Sequence, residues 1–261
     1  MSWIFDLPLV VLGPTLLLVL VGLALGSVHL FRRHMLPQLR FGEHDAVFSG
    51  TMLTAIMVIY GLAMALIAVH VWETYEEVAR TVSHEASTLG TLYRDVSEYP
   101  EPTRTLLREH IRDYVEYTIH EAWAMQRRGI VPSKGLARVD SIQATLFRFE
   151  PVTEGQKVLA AETANAYNVM IEARRMRLDA VETRLPGVMW IVIVVGAVIS
   201  LLSALFFPVH DERIQRIQVA LLSMFIGIVI FMIIALDRPY HGDLGLTPRP
   251  YELIYEQLMQ H

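Results

Sequence analysis

The 261-residue chain contains no cysteine, so disulfides and thiolate chemistry are excluded, while either side of a membrane stays open to it. No basic patch dominates, and a net charge of −5 offers nucleic acid no footprint. The chain lacks a phosphate-binding Walker loop, a dinucleotide fingerprint and a G-x-S-x-G elbow. Its ten histidines lack metal-ligand spacing: His84–Glu85 and His120–Glu121 are adjacent pairs with no ligand three or four residues on. No strand-like alternation, internal repeat or low-complexity tract stands out. The reading is of a non-enzyme that carries neither a metal nor another cofactor.

What is present is apolar sequence gathered into blocks, 53% of the chain in all. A hydrocarbon core about 30 Å thick needs about 20 apolar residues in a helix. Residues 9–31, 48–72, 187–207 and 217–236 each qualify. The first block has no basic segment before it, where Asp6 is the sole charge, and no small-x-small cleavage site after it. It reads as a retained helix rather than a signal peptide. Gly22 and Gly26 within it have the spacing that lets membrane helices approach closely. The tail before it, MSWIFDLP, carries aromatics suited to a membrane interface. These blocks describe a multipass membrane protein.

The stretch from residue 48 to residue 100 organises the rest. It opens as a span with no charged residue apart from His70, then continues as a polar amphipathic helix broken by no proline, with Gly90 its single glycine. One face of the span is small and mildly polar: Thr51, Thr54, Val58, Gly61, Ala65, Ala68 and Trp72. The opposite face is bulky: Leu53, Ile56, Met57, Tyr60, Met64, Ile67 and Val71. The small face has two readings. It is either a close-packing surface for another span or, over Thr51, Thr54, Val58, Gly61 and Ala65, the lining of a narrow, partly hydrophobic pore.

Between the second and third spans lie about 115 residues with the composition of a soluble helical protein. Prolines and glycines punctuate them into helices over residues 103–128, 134–149 and 153–185, beside the extension of the second span. Each long helix carries one charge on its inward stripe: Glu85 on the first, Glu121 on the second, Arg174 on the last. At 1.5 Å per residue, Glu85 lies about 20 Å beyond Trp72, Arg174 about 18 Å before Pro186, and Glu121 about 11 Å from the membrane if its helix returns antiparallel. A charge in a bundle core is tolerable only when paired. The expectation is a Glu85–Arg174 interaction with Glu121 nearby, serving either to fix helix register or as an ion-binding ring.

The fourth span ends in LDRPYHGD, where Asp237 is either a solvated neighbour of Arg238 or an ion ligand at a pore mouth. The tail YELIYEQLMQH has the pattern of a short amphipathic helix. The expected architecture is all-α. Transmembrane helices occupy residues 1–72 and 186–236, an extramembrane helical bundle residues 73–185, and a tail residues 237–261.

Two spans, a helical domain and two more spans is a layout similar to that of bestrophins. Short motifs strengthen it: Tyr60-Gly61-Leu62, Trp72 with Tyr75, Glu85-Ala86 with Leu89, Glu121-Ala122-Trp123, Arg174-Arg175-Met176-Arg177, Leu185-Pro186 with Trp190, and Asp237-Arg238-Pro239-Tyr240 with Gly242. In their order, from about residue 48 to residue 248, they resemble the bacterial bestrophin-like membrane proteins. The resemblance implies a homo-oligomeric, pentameric ion channel with its pore along the second span, favouring anions over cations. It also implies a proline–aromatic element after the fourth span, which Pro239-Tyr240-His241-Gly242-Asp243 resembles, although the calcium-binding acidic run that follows it in bestrophins is missing here.

The expected partners are the lipid bilayer, further copies of the chain and inorganic ions, in the cell inner membrane. Arg32, Arg33, Arg40, Arg213 and Arg216 sit in the short loops, so the positive-inside rule puts those loops in the cytoplasm and the bundle in the periplasm. Bestrophin topology implies the reverse, and Arg174, Arg175, Arg177 and Arg184 fit it. Long domains cross largely regardless of charge, so the short loops are given the greater weight. The alternative function is a membrane sensor or scaffold whose bundle binds a ligand or partner without conducting ions. The layout alone separates neither reading from the other.

Overall fold

A computed structural model describes residues 8–35, 43–206 and 211–260. The N-terminal aromatic tail, the turn containing Pro37 and Arg40, and Phe207–Pro208 lie outside the described residues. In chain order the elements are α1 (Leu9–Leu30, prolonged by a π turn, Phe31–Met35), α2 (Glu43–Val96), α3 (Thr103–Tyr117), a π turn (Thr118–Ala122), α4 (Trp123–Gln126), α5 (Gly135–Arg148), α6 (Glu154–Asp179), α7 (Gly187–Leu205), α8 (Glu212–Leu236) and α9 (Arg249–Ile254), which runs into a last π turn, Tyr255–Met259. Among the described residues, four helices are long and apolar enough to cross a membrane: Leu9–Met35, Phe48–Val96, Gly187–Leu205 and Glu212–Leu236. This is an all-helical, multipass membrane protein.

The helix ends follow local chemistry. α2 runs 54 residues because no proline interrupts it, and the chain leaves helical geometry ahead of Pro100 and Pro102, whose rings disfavour helix in the preceding residue. Thr153 and Gln156 form a reciprocal capping box at the start of α6, with Gln156 N–H donating to Thr153 Oγ1 at 3.2 Å and Thr153 N–H donating to Gln156 Oε1 at 3.3 Å. Asp211 caps α8 by accepting the Arg213 amide at 2.7 Å. After α4, Gly129 turns the chain at φ 71°, a left-handed geometry that glycine adopts without strain.

The chain divides into two compact units, one drawn from residues up to Glu73 and from Arg184–Asp237, the other from Thr74–Thr183 and Arg238–His261. In the first unit the long apolar side chains mostly point outward, as they must where the solvent is hydrocarbon. Helices there are joined by close approach at glycine. Gly13 of α1 lies under the Phe231 ring, and Gly227 of α8 admits Leu17 and Leu20. An added Cβ at Gly22 or Gly26 would meet nothing within 4 Å, so the glycine pair singled out in the sequence is not where these helices touch. At one end of the unit, Arg32 Nε donates to Gln215 Oε1 at 2.6 Å and Gln215 Nε2 donates to the Leu205 carbonyl at 3.3 Å.

Tyr60 of α2 packs its ring on Gly196 of α7 and donates its hydroxyl to the Ile193 carbonyl at 3.0 Å. A Cβ at Gly196 would sit 2.4 Å from the ring. Gly196→Leu is therefore expected to lower stability by about 1–3 kcal/mol through overpacking. Gly187→Leu, at a glycine with open space around it, should be tolerated. Thermal unfolding of the two purified variants checks this.

The second unit has one continuous core. Val78, Val82, Leu89 and Leu92 of α2 meet Leu107, Ile111 and Tyr114 of α3, Val139 and Ile142 of α5, and Tyr167 and Met170 of α6. The chain after the fourth span joins that core through Tyr240, Tyr251 and Met259. It is tied down by polar contacts as well: Trp123 Nε1 donates to the Leu246 carbonyl at 3.0 Å, and the Tyr75 hydroxyl to that of Leu244 at 2.9 Å. The amphipathic tail thus docks as part of the bundle.

Candidate functional site

On α2 the two faces have different fates. Tyr60, Met64, Ile67 and Val71, from the bulky face, are buried. Thr51, Thr54, Val58, Gly61 and Ala65 are all exposed, Val58 at 64%. The small strip is therefore not used for packing within the chain, and no atom lies within 4 Å of a Cβ placed on Gly61. Thr54 turns its hydroxyl back to the Gly50 carbonyl at 2.9 Å, which leaves a strip that is small, uncharged and largely dry. An apolar groove of about 430 Å³ lies on the opposite side of α2, where Ile56, Tyr60 and Ala63 face Ile191, Val195 and Gly196. That groove offers no charged group to an ion.

The second constellation is ionic and buried. Glu85 on α2 is 0% exposed and Arg177 on α6 is 2% exposed. Arg177 Nε donates to Glu85 Oε2 at 2.5 Å and Nη2 to Oε1 at 3.2 Å, a two-pronged pair. The Tyr114 hydroxyl donates to Glu85 Oε1 at 2.7 Å and accepts from Arg177 Nη2 at 3.2 Å. Tyr240 caps the group by donating to the Arg177 carbonyl at 3.3 Å, and the Arg177 guanidinium lies 5.7 Å from the Tyr251 ring centre. Trp123 stands edge-on to Tyr240 at 5.5 Å.

The pairing differs from the sequence expectation in two respects. The guanidinium on Glu85 belongs to Arg177 and not to Arg174. The buried face of α6 runs through Thr163, Tyr167, Met170, Ala173, Arg174 and Arg177, so Arg174 is inward as expected but Arg177 is inward too. Apolar residues occupy both flanks of this helix, so its hydrophobic pattern left the phase open; the second arginine three positions after Arg174 was the available signal. Glu121 is exposed and joins neither arginine. The π turn Thr118–Ala122 inserts extra residues into the helical repeat, so burial passes to Ala122, Trp123 and Gln126 while Glu121 turns outward.

Burial pushes the Tyr114 phenol well above the ordinary tyrosine range, with the Glu85 carboxylate adding to the effect. Burial does the same for Tyr251 and Tyr240. All three stay protonated in the folded chain at a pH where unfolded tyrosines ionise, near 10. The native state then binds more protons than the unfolded one. Their contribution is fully present below about pH 10 and is lost as pH rises above it. Tyr251 has a hydroxyl with no hydrogen-bond partner, so Tyr251→Phe should be close to neutral at pH 7 and raise the midpoint of alkaline unfolding. Circular dichroism across pH 9–12 reads this out.

Asp237, proposed from sequence as solvated or as a pore-mouth ligand, is 6% exposed and accepts the Leu185 amide at 2.6 Å. It fixes the backbone just before Pro186 and the start of α7, so the solvated reading does not hold. Among the described residues no group of three or more His, Asp or Glu side chains comes together as a metal site.

The Bestrophin-like domain matches residues 18–251, nearly the whole chain. The chain belongs to the Bestrophin-like family. Its fold resembles the crystal structure of a bacterial bestrophin homologue from Klebsiella pneumoniae carrying a tyrosine-to-alanine mutation. The TM-score is 0.64 at 10% identity, over 94% of this chain and 96% of that one. At that identity the likeness shows the shared fold. No curated protein matches the chain. Membership of the Bestrophin-like family supports a channel at the level of the family.

Proposed function

We propose that this Bestrophin-like protein is a passive ion channel, assembled from several copies of the chain, five in the favoured arrangement, in the cell inner membrane. The pore is lined by Thr51, Thr54, Val58, Gly61 and Ala65 of α2. The observation that carries this reading is the division of labour on α2: its bulky face is packed within the chain, while its small, uncharged strip is left uncovered. Such a strip suits a narrow pathway controlled by dewetting, because it neither binds an ion tightly nor blocks it with a bulky side chain. Conduction of anions is favoured over cations on the resemblance to bestrophins, since the uncharged strip itself selects neither. Asp237 is assigned a positioning role at the start of α7. The arginines at the ends of α1 and α8 support placing those ends in the cytoplasm.

The absence of native cysteine allows a direct test of the lining. Single substitutions Thr54→Cys, Val58→Cys, Gly61→Cys and Ala65→Cys should react with a membrane-impermeant thiol reagent in assembled protein. Met57→Cys and Met64→Cys on the opposite face should not. Reaction on the bulky face alone, or on neither face, would count against the assignment.

A further inference from the structure

One end of the first unit gathers cationic side chains beside apolar ones. α1 and α8 run antiparallel, with Gly13 under Phe231, Gly227 against Leu17 and Leu20, and Arg32 bonded to Gln215. That register brings Arg32 and Arg33, from the end of α1, alongside Arg213 and Arg216, from the first turns of α8. Gln215 is a buried support at this end. Only 4% exposed, it accepts from Arg32 Nε at 2.6 Å and donates to the Leu205 carbonyl, at the end of α7, at 3.3 Å. Phe31 packs edge-on against Phe206 at 5.0 Å, so the ends of α1 and α7 and the start of α8 form one platform.

The charges on this platform do not cancel. Its two carboxylates on α8 are engaged, Glu212 with Arg216 and Asp211 with the Arg213 backbone amide. Arg33 and Arg213 are exposed, and neither makes an ion pair among the described residues. Deeper in the spans the surface turns apolar. Leu30 precedes Arg33 by about a turn and is 58% exposed, and Ile217 follows Arg213 on the same face of α8 at 59%. Basic residues end many spans by reaching for water. Here the Arg32 guanidinium is instead held by its Nε edge on a buried glutamine. Cations set above exposed aliphatic side chains match an amphiphile with an anionic head and hydrocarbon tails. A soluble anion would use the arginines and leave the apolar row uncovered.

We propose that this platform binds an anionic phospholipid. The phosphate meets Arg32, Arg33 and Arg213, and the acyl chains lie along Leu30 and Ile217. The planar guanidinium fork suits a phosphate, and basic pockets between membrane helices hold lipid headgroups by the same attraction. The site is built on α1 and α8 rather than on the α2 strip, so it does not rest on the channel reading.

The test is native mass spectrometry of the purified full-length protein offered phosphatidylglycerol or phosphatidylcholine with identical acyl chains. Wild type should retain phosphatidylglycerol on the order of tenfold better. Arg33→Gln combined with Arg213→Gln should bring the two lipids to within about twofold, each arginine contributing about fivefold. Arg33→Lys combined with Arg213→Lys should keep most of the preference, because an ammonium still meets the phosphate charge. Arg94→Gln, at an exposed arginine of the second unit, should match wild type. Inorganic phosphate at the same concentration should displace no lipid, which separates a lipid site from a soluble-anion site on wild type alone. Equal retention of the two lipids, an unchanged ratio in the double glutamine variant, or displacement by inorganic phosphate would overturn the proposal.

Discussion

Glu85→Leu should lower the stability of the second unit by about 3–5 kcal/mol, among the largest effects of any single substitution in the chain. The reason is the fate of Arg177. Its Nε and Nη2 both rest on the Glu85 carboxylate, and at 2% exposure it has no water to turn to. Tyr114 loses its acceptor in the same step. Adding Arg177→Met to Glu85→Leu should recover most of the loss, because a buried pair exchanged for apolar side chains of similar volume is often neutral or stabilising. A double-mutant cycle separates this from the partner expected on sequence grounds. Coupling between positions 85 and 177 should exceed about 1 kcal/mol, and coupling between 85 and 174 should be smaller. Chemical or thermal unfolding of the six proteins involved supplies the numbers. Equal coupling at both arginines would mean the pair is not specific.

The second large effect concerns conduction and rests on the proposed pore. Val58→Asp should reduce anion flux on the order of tenfold or more. A carboxylate on a low-dielectric wall about 4 Å from a passing anion repels it by about 4 kcal/mol at an effective dielectric of 20. About 1.4 kcal/mol already corresponds to tenfold. In an oligomer the substitution is repeated in every copy. Val58→Ala removes bulk without adding charge and should raise flux. If the small strip instead faced lipid, Val58→Asp would impair insertion and assembly, and Val58→Ala would leave flux unchanged. Size-exclusion profiles of both variants, beside flux measurements in liposomes, distinguish the two situations.

The spans were legible because the bilayer imposes a length that composition alone reveals. The bundle was legible because its helices are punctuated by Pro100, Pro102, Gly129, Pro132 and Pro151. What failed was phase. Glu121 and the partner of Glu85 were misassigned because a stripe extrapolated at constant period cannot foresee a π turn at Thr118–Ala122, nor choose between Arg174 and Arg177 on a helix that buries both. Gly22 and Gly26 had the right spacing on the wrong side of α1, whereas Gly13, beside Pro14, gave no motif and is where Phe231 packs. Asp237 could not be separated from a solvated carboxylate until its partner, the Leu185 amide, 52 residues away in sequence, was located. Each miss required knowledge of a neighbour that no local pattern contains.

Chloride flux through the purified wild-type protein in liposomes, compared with potassium flux under the same gradient, tests the central claim most directly. The channel reading predicts a chloride-dependent current larger than the potassium current and sensitive to Val58 and Gly61 substitutions. Silence toward both ions, from protein shown to be folded and oligomeric in the same vesicles, would contradict it and favour the sensor or scaffold.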